Sequence, residues 1–232
     1  MPESAADLDA LIARVDPDRW LSSRFIADGA ARSDVVTLYA FDHELARAPR
    51  VASNALLGEI RLTWWREALD EAYAGGAVRL HPTAQALAQV IRSRGLDRGP
   101  LEAMIDARYR ELDATPMTAR EAMDWAEGTA GAVAAAAAAI LDPSTDPRLA
   151  TVAAAPWALG RRAAAAPAEA GLLAGVMRDA LPNARRSARR LSSAAFPAVA
   201  HGSLAERHAR GTRDPDWSVR LRLVWSVATG RI

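Results

Sequence analysis

Helix formers recur with helical spacing almost from end to end, while alternating β-branched or aromatic runs bounded by turn residues do not occur. An all-α fold is therefore expected. Proline and glycine punctuate the pattern. The spacing predicts helices over Ser4 to Val15, Asp18 to Ala27 behind Pro17, Ala30 to Ala48 before Pro49, and Asn54 to Tyr73 before Gly75 and Gly76. In the last of these, Leu56, Ile60, Trp64 and Ala68 recur four apart and predict one strongly apolar face. Further helices are expected over Thr83 to Arg94, Leu101 to Ala114 and, from the capping pair Thr118 and Glu121, through Ala139. After the turn-rich Asp142 to Pro147 come stretches near Arg148 to Ala165, Ala168 to Leu181, Asn183 to Ser193, Ser203 to Arg210 and Trp217 to Ala228.

With 232 residues, half of them apolar, the chain can close one sizeable core, so residues 1–232 are expected to form a single domain. A net charge of +1 creates no global field for nucleic acid, so any partner must be recognised locally. Cysteine is absent, which excludes disulfides, thiolate nucleophiles and sulfur-ligated zinc. Every basic residue outside the histidines is arginine. The N-terminal stretch carries acids and lacks the apolar block of a secretory signal. The longest apolar run, Gly131 to Leu141, is too short to span a bilayer. A cytoplasmic protein is expected, at most peripheral at the inner membrane.

Three stretches carry a resemblance: Asp18 to Phe25 (DRWLSSRF), Leu38 to Phe41 (LYAF), and Leu57 to Asp70 (LGEIRLTWWREALD). His81-Pro82, Met104 to Asp113 (MIDARYRELD) and Glu127 to Gly131 (EGTAG) follow in order. Together they resemble the squalene/phytoene synthase family over residues 15–200, most specifically in the first hundred. The resemblance implies an isoprenoid-synthase-like helical bundle in which two acidic motifs on facing helices chelate magnesium ions that bridge a prenyl diphosphate. Ionising an allylic diphosphate needs cationic stabilisation of the leaving group, and carboxylates four apart share a helix face and converge on a metal.

Aligned on Leu38 to Phe41, the family's first acidic cluster falls on Ala46, Arg47 and Arg50, none of which ligates magnesium. Asp42 and Glu44 lie two apart and so diverge by about 200° around the helix. The second motif is matched by Arg178-Asp179 with Asn183 in place of its last carboxylate and Pro182 before it. Such erosion is similar to the branch of the family linked to assembly of mitochondrial respiratory complex I, which shares the wording LYAF-x-HELA and EIRL-x-WWREAL. The expectation is a non-catalytic accessory or assembly factor with a protein partner in a respiratory membrane complex, and no cofactor. The alternatives are a magnesium-dependent prenyl-diphosphate transferase with a remodelled site around Glu44, Asp179 and the arginines, or an isoprenoid or quinone-binding protein.

Other residues admit competing readings. Arg47, Arg50 and Arg61 are either solvated helix-face cations or a metal-free diphosphate pocket. Tyr39, Phe41 and Trp64 are candidates to line an apolar cavity, although one of the adjacent Trp64 and Trp65 must be ordinary core. His43-Glu44 cannot begin a two-histidine zinc helix because position 47 is arginine. His201 and His208 read as a surface pair, and Gly128 and Gly131 as sites of close helix packing. The C-terminal stripe Trp217, Leu221, Val224 or Trp225, and Ala228 fits a helix docked on the domain or one resting on a membrane. Arg185, Arg186, Arg189 and Arg190 form the densest basic patch.

Overall fold

A computed structural model describes residues 5–52, 54–211 and 216–232. Its helices are α1 (Ala5–Val15), α2 (Pro17–Ser23), α3 (Gly29–Arg50), α4 (Ala55–Ala74), α5 (Pro82–Arg94) and α6 (Arg98–Tyr109). They continue as α7 (Ala119–Ala126), α8 (Ala132–Leu141), α9 (Pro147–Ala165), α10 (Ala170–Ala188), α11 (Ala205–Ala209) and α12 (Asp216–Thr229). No strand occurs among the described residues, so the all-α expectation holds; the expected helix start at Ser4 lies outside them.

Local chemistry sets the boundaries. Side chains of Asp16, Asp28, Asn54 and Asp146 accept from the free amides that open α2, α3, α4 and α9, and Thr118 with Glu121 closes a capping box on α7. Gly75 and Gly95 end α4 and α5 at φ 74° and 60°, a left-handed conformation that side chains with a Cβ resist. Helix α8 is apolar all round, and α3, α8 and α9 form the centre against which most of the others pack.

Between α7 and α8 the chain widens into a π-helical turn over Glu127–Gly131, where Thr129 Oγ1 donates to the Trp125 carbonyl at 2.7 Å. Gly128 lets this turn approach Ala107, and Gly131 lets it approach Thr151, as the glycine spacing suggested. A third close contact was not foreseen: a Cβ on Gly160 would overlap the backbone carbonyl of Ala205, so α9 and α11 meet at glycine contact distance. Gly160→Ala should therefore lower stability by about 1–3 kcal/mol despite alanine's better helix propensity, read as a lower urea midpoint at unchanged slope. Gly58→Ala, which meets only the end of the Leu112 side chain, should cost less.

Several expectations change. The buried face of α4 is Gly58, Leu62, Trp65, Ala68, Leu69 and Ala72, whereas Leu56 and Ile60 are exposed; the apolar stripe drawn through Trp64 is rotated from the true core face. Trp65 is the core residue and Trp64 is half-buried. Residues 170–188 form one helix through Pro182, not two. His201 is not a surface residue: it is 1% exposed and packs edge-on to Trp157 at 4.7 Å.

Candidate functional site

A cavity of about 290 Å³ lies between α2, α3, α6, the π turn and α9. Asp42, Ala46 and Arg50 face it from α3, four residues apart and hence on one helix face. From α9 come Trp157, Ala158, Arg161, Arg162 and Ala165; Arg108, Glu111 and Trp125 close another side.

A charge network fills its floor. Asp42 accepts from Arg19 Nη2 at 2.7 Å and from Arg108 Nη2 at 2.6 Å. Asp16 accepts from Arg19 Nε at 2.5 Å and from Arg161 Nη1 at 3.1 Å. Glu111 pairs with Arg108 and accepts from Trp125 Nε1 at 2.8 Å. The Arg19 guanidinium also lies over the rings of Tyr39 and Trp157, 5.0 and 5.1 Å from their centroids. Burial alone would raise the Asp42 carboxyl, but the Arg108 and Arg19 charges outweigh it and hold the group well below the usual carboxylate range. Burial would likewise lower the Arg19 guanidinium, and Asp16 and Asp42 together push it upward.

Next to this network, Asp18 accepts from Trp157 Nε1 at 3.0 Å and contacts His208 Nε2 at 2.5 Å. Burial opposes its ionisation, yet His208 and Trp157 hold its pKa down to about 2. Arg50 donates Nε to the Ala46 carbonyl at 2.7 Å; burial lowers its pKa, and Arg108 and Arg161 act in the same direction.

These residues do not fit a divalent metal. The cavity's carboxylates, Asp16, Asp42 and Glu111, are each engaged by guanidinium groups, against five lining arginines. The α3 face offers alanine and arginine at the next two positions along from Asp42, and the α9 wall offers no carboxylate. A hard dication wants several anionic oxygens to itself, whereas here cationic nitrogen already holds them. No group of three potential ligands stands together among the described residues.

The sequence-selected residues scatter. Ala46 and Arg50 reach the cavity, but Glu44, Arg47, Arg61 and Trp64 line a separate groove of about 420 Å³ with Trp65 and His81. Arg47 there pairs with Glu44 at 3.0 Å. The three arginines grouped as one diphosphate pocket thus split between two surfaces. Tyr39 and Phe41 are wholly buried core and line neither recess. Asp179 and Asn183 do not face α3: the buried stripe of α10 runs through Leu173, Met177, Leu181 and Ala184, which turns both polar residues to solvent. The helix opposite α3 across the cavity is α9. The network's own members, Asp16, Arg19, Arg108, Glu111 and Arg161, were missed, although Asp16/Arg19 and Arg108/Glu111 carry the three-residue spacing of helical ion pairs.

An all-helical bundle enclosing a recess between facing central helices is the architecture of the isoprenoid synthases. The structure superposes on a dehydrosqualene synthase solved in complex with ligand at TM-score 0.71, with 13% identity over 97% of this chain and 95% of the other. It also superposes on squalene synthase HpnC from Alicyclobacillus acidocaldarius at TM-score 0.65, with 15% identity over 97% and 94%. Residues 12–166 match the squalene/phytoene synthase family, and the chain belongs to it. Among curated proteins it is similar to NADH dehydrogenase (ubiquinone) complex I, assembly factor 6 of Bos taurus, 28% identical over 103 residues, 44% of this chain. The assembly factor 6 homolog of Dictyostelium discoideum is 27% identical over 109 residues, 46% of this chain. The matched stretch spans 30% of each relative's length.

Proposed function

We propose that this protein is a non-catalytic member of the squalene/phytoene synthase family that acts by binding, as an accessory or assembly factor for a respiratory membrane complex. The observation that carries the reading is the cavity floor: where the family resemblance places metal-binding carboxylates, α3 presents Ala46 and Arg50, and Asp42 is held by Arg19 and Arg108. Losing a metal that contributes several kcal/mol of charge stabilisation slows diphosphate ionisation by orders of magnitude. The similarity to proteins named as complex I assembly factors supplies the class of partner.

Isothermal titration with a non-hydrolysable farnesyl diphosphate analogue should give no magnesium-dependent binding, and farnesyl diphosphate with magnesium should give no condensed product. Deleting the gene should deplete assembled NADH dehydrogenase while leaving squalene and carotenoid levels unchanged. Tight, magnesium-dependent binding or turnover would overturn the reading in favour of a transferase.

A further inference from the structure

Helix α12 has two apolar faces, and only one is used. At about 100° per residue, Val219, Leu223 and Ser226 fall within one arc of about 60°, and these are its buried residues. Trp217, Leu221, Val224 and Trp225 fall within an arc of about 100° centred opposite the first, and they are 64%, 59%, 49% and 54% exposed. The stripe drawn from the sequence is thus the outward face, while a different stripe docks the helix. On the same wheel Arg220 and Arg222 border the outward arc on either side. Residues 217–232 contain three arginines and no acid.

We propose that the outward face of α12 seats on an anionic bilayer surface. Tryptophan, with an apolar body and a polar N–H, suits the boundary between headgroups and acyl chains; here one stands towards each end of the stripe. Arginine at both borders can lay its stem along the apolar face while its guanidinium meets lipid phosphate. Arg222 is held in that border position by its donation to the Ser203 carbonyl at 3.3 Å. Charge complementarity selects an anionic surface: another exposed apolar patch, Leu56, Leu57 and Ile60 on α4, has Glu59 and Glu67 beside it as well as Arg61, whereas the outward face of α12 is bordered by arginine alone. The helix lies on the surface and does not cross it, since no described helix is long and apolar enough to span a bilayer. This inference stands apart from whether the cavity is catalytic.

The test is sedimentation of the full chain with phosphatidylcholine vesicles containing or lacking about 30 mol% phosphatidylglycerol. Binding is expected to the anionic vesicles only. Arg220→Gln with Arg222→Gln should weaken it about fivefold per arginine, and Trp217→Ser with Trp225→Ser by about tenfold or more. The tryptophans point away from the core and Arg222 gives up only one exposed hydrogen bond to Ser203, so the thermal midpoint should hold, which separates lost binding from lost fold. Failure of the wild type to bind anionic vesicles, or equal binding by both double variants, would overturn the proposal. So would a dimer in analytical ultracentrifugation that the tryptophan variant converts to monomer, because the face would then belong to a second copy.

Discussion

Asp42→Ala is expected to lower stability by about 3–5 kcal/mol, a fall in Tm on the order of 10 °C for a chain of this size. The carboxylate is 4% exposed and is shared by Arg19 and Arg108, themselves 4% and 7% exposed. Removing it leaves Arg19 with Asp16 and Arg108 with Glu111 but takes away the carboxylate the two guanidinium groups share, so the loss is mainly the cost of partly uncompensated buried positive charge. That distinction is measurable. Replacing the network as a whole, Asp42→Leu with Arg19→Met and Arg108→Met and with their other partners neutralised as Asp16→Asn and Glu111→Gln, should recover much of the loss, because a packed apolar cluster is often as stable as the ion network it replaces. An exposed pair provides the contrast: Asp124→Ala, which breaks the pair with Arg120 at 92% and 65% side-chain exposure, should stay within about 0.5 kcal/mol of wild type. If Asp42→Ala costs no more than Asp124→Ala in urea unfolding, the cavity floor does not organise the fold.

What could be read from the sequence follows from the range of the interactions involved. The helix ends at Asn54, Thr118 and Asp146 are set by hydrogen bonds within three residues, so they were legible. Which face of a helix turns inward depends on neighbours far along the chain. In α4, Leu56 and Ile60 matched the four-residue repeat as well as any core residue, yet they are 63% and 55% exposed, and the core runs through Leu62, Trp65 and Leu69. The same limit hid the cavity. Asp42 and Glu44 were expected to diverge, and they do, into separate recesses. That Asp42 is neutralised depends on Arg19 and Arg108, which lie 23 and 66 residues away. The acidic motif sought at Asp179 and Asn183 was a match of letters on α10, a helix whose inward stripe excludes both positions.

The cavity and the buried histidine form one electrostatic unit. Trp157 links them: its ring carries Arg19 on one contact and His201 on another, and its N–H donates to Asp18. The arginines of the cavity therefore have a consequence beyond it, because their buried positive charge also bears on the protonation of His201.

The second large effect is accordingly a loss of stability in acid that His201 controls. Burial pushes the His201 imidazole down from 6.5 to about 3; the Arg19 charge adds to that, Asp16 and Asp18 oppose it, and Arg161 acts with Arg19. In the unfolded chain this histidine takes up a proton near pH 6.5, whereas in the folded chain it does not until about pH 3. The unfolded state thus binds more protons between those values, so stability is full above about pH 6.5 and falls as pH drops towards 3. The complete loss is on the order of 4–5 kcal/mol, of which about 3 kcal/mol should be gone by pH 4.5. Asp18, with its pKa lowered from 3.8 to about 2, adds about 2 kcal/mol that is present above pH 4 and lost as pH falls through 2. His201→Phe keeps a ring against Trp157 and removes the titrating group, so urea unfolding from pH 7.5 to 4.5 should show a shallower pH dependence in the variant, the two curves separating by about 3 kcal/mol at the acid end. Parallel curves would mean that His201 reaches water or a proton donor in the folded state and is not held neutral by its surroundings.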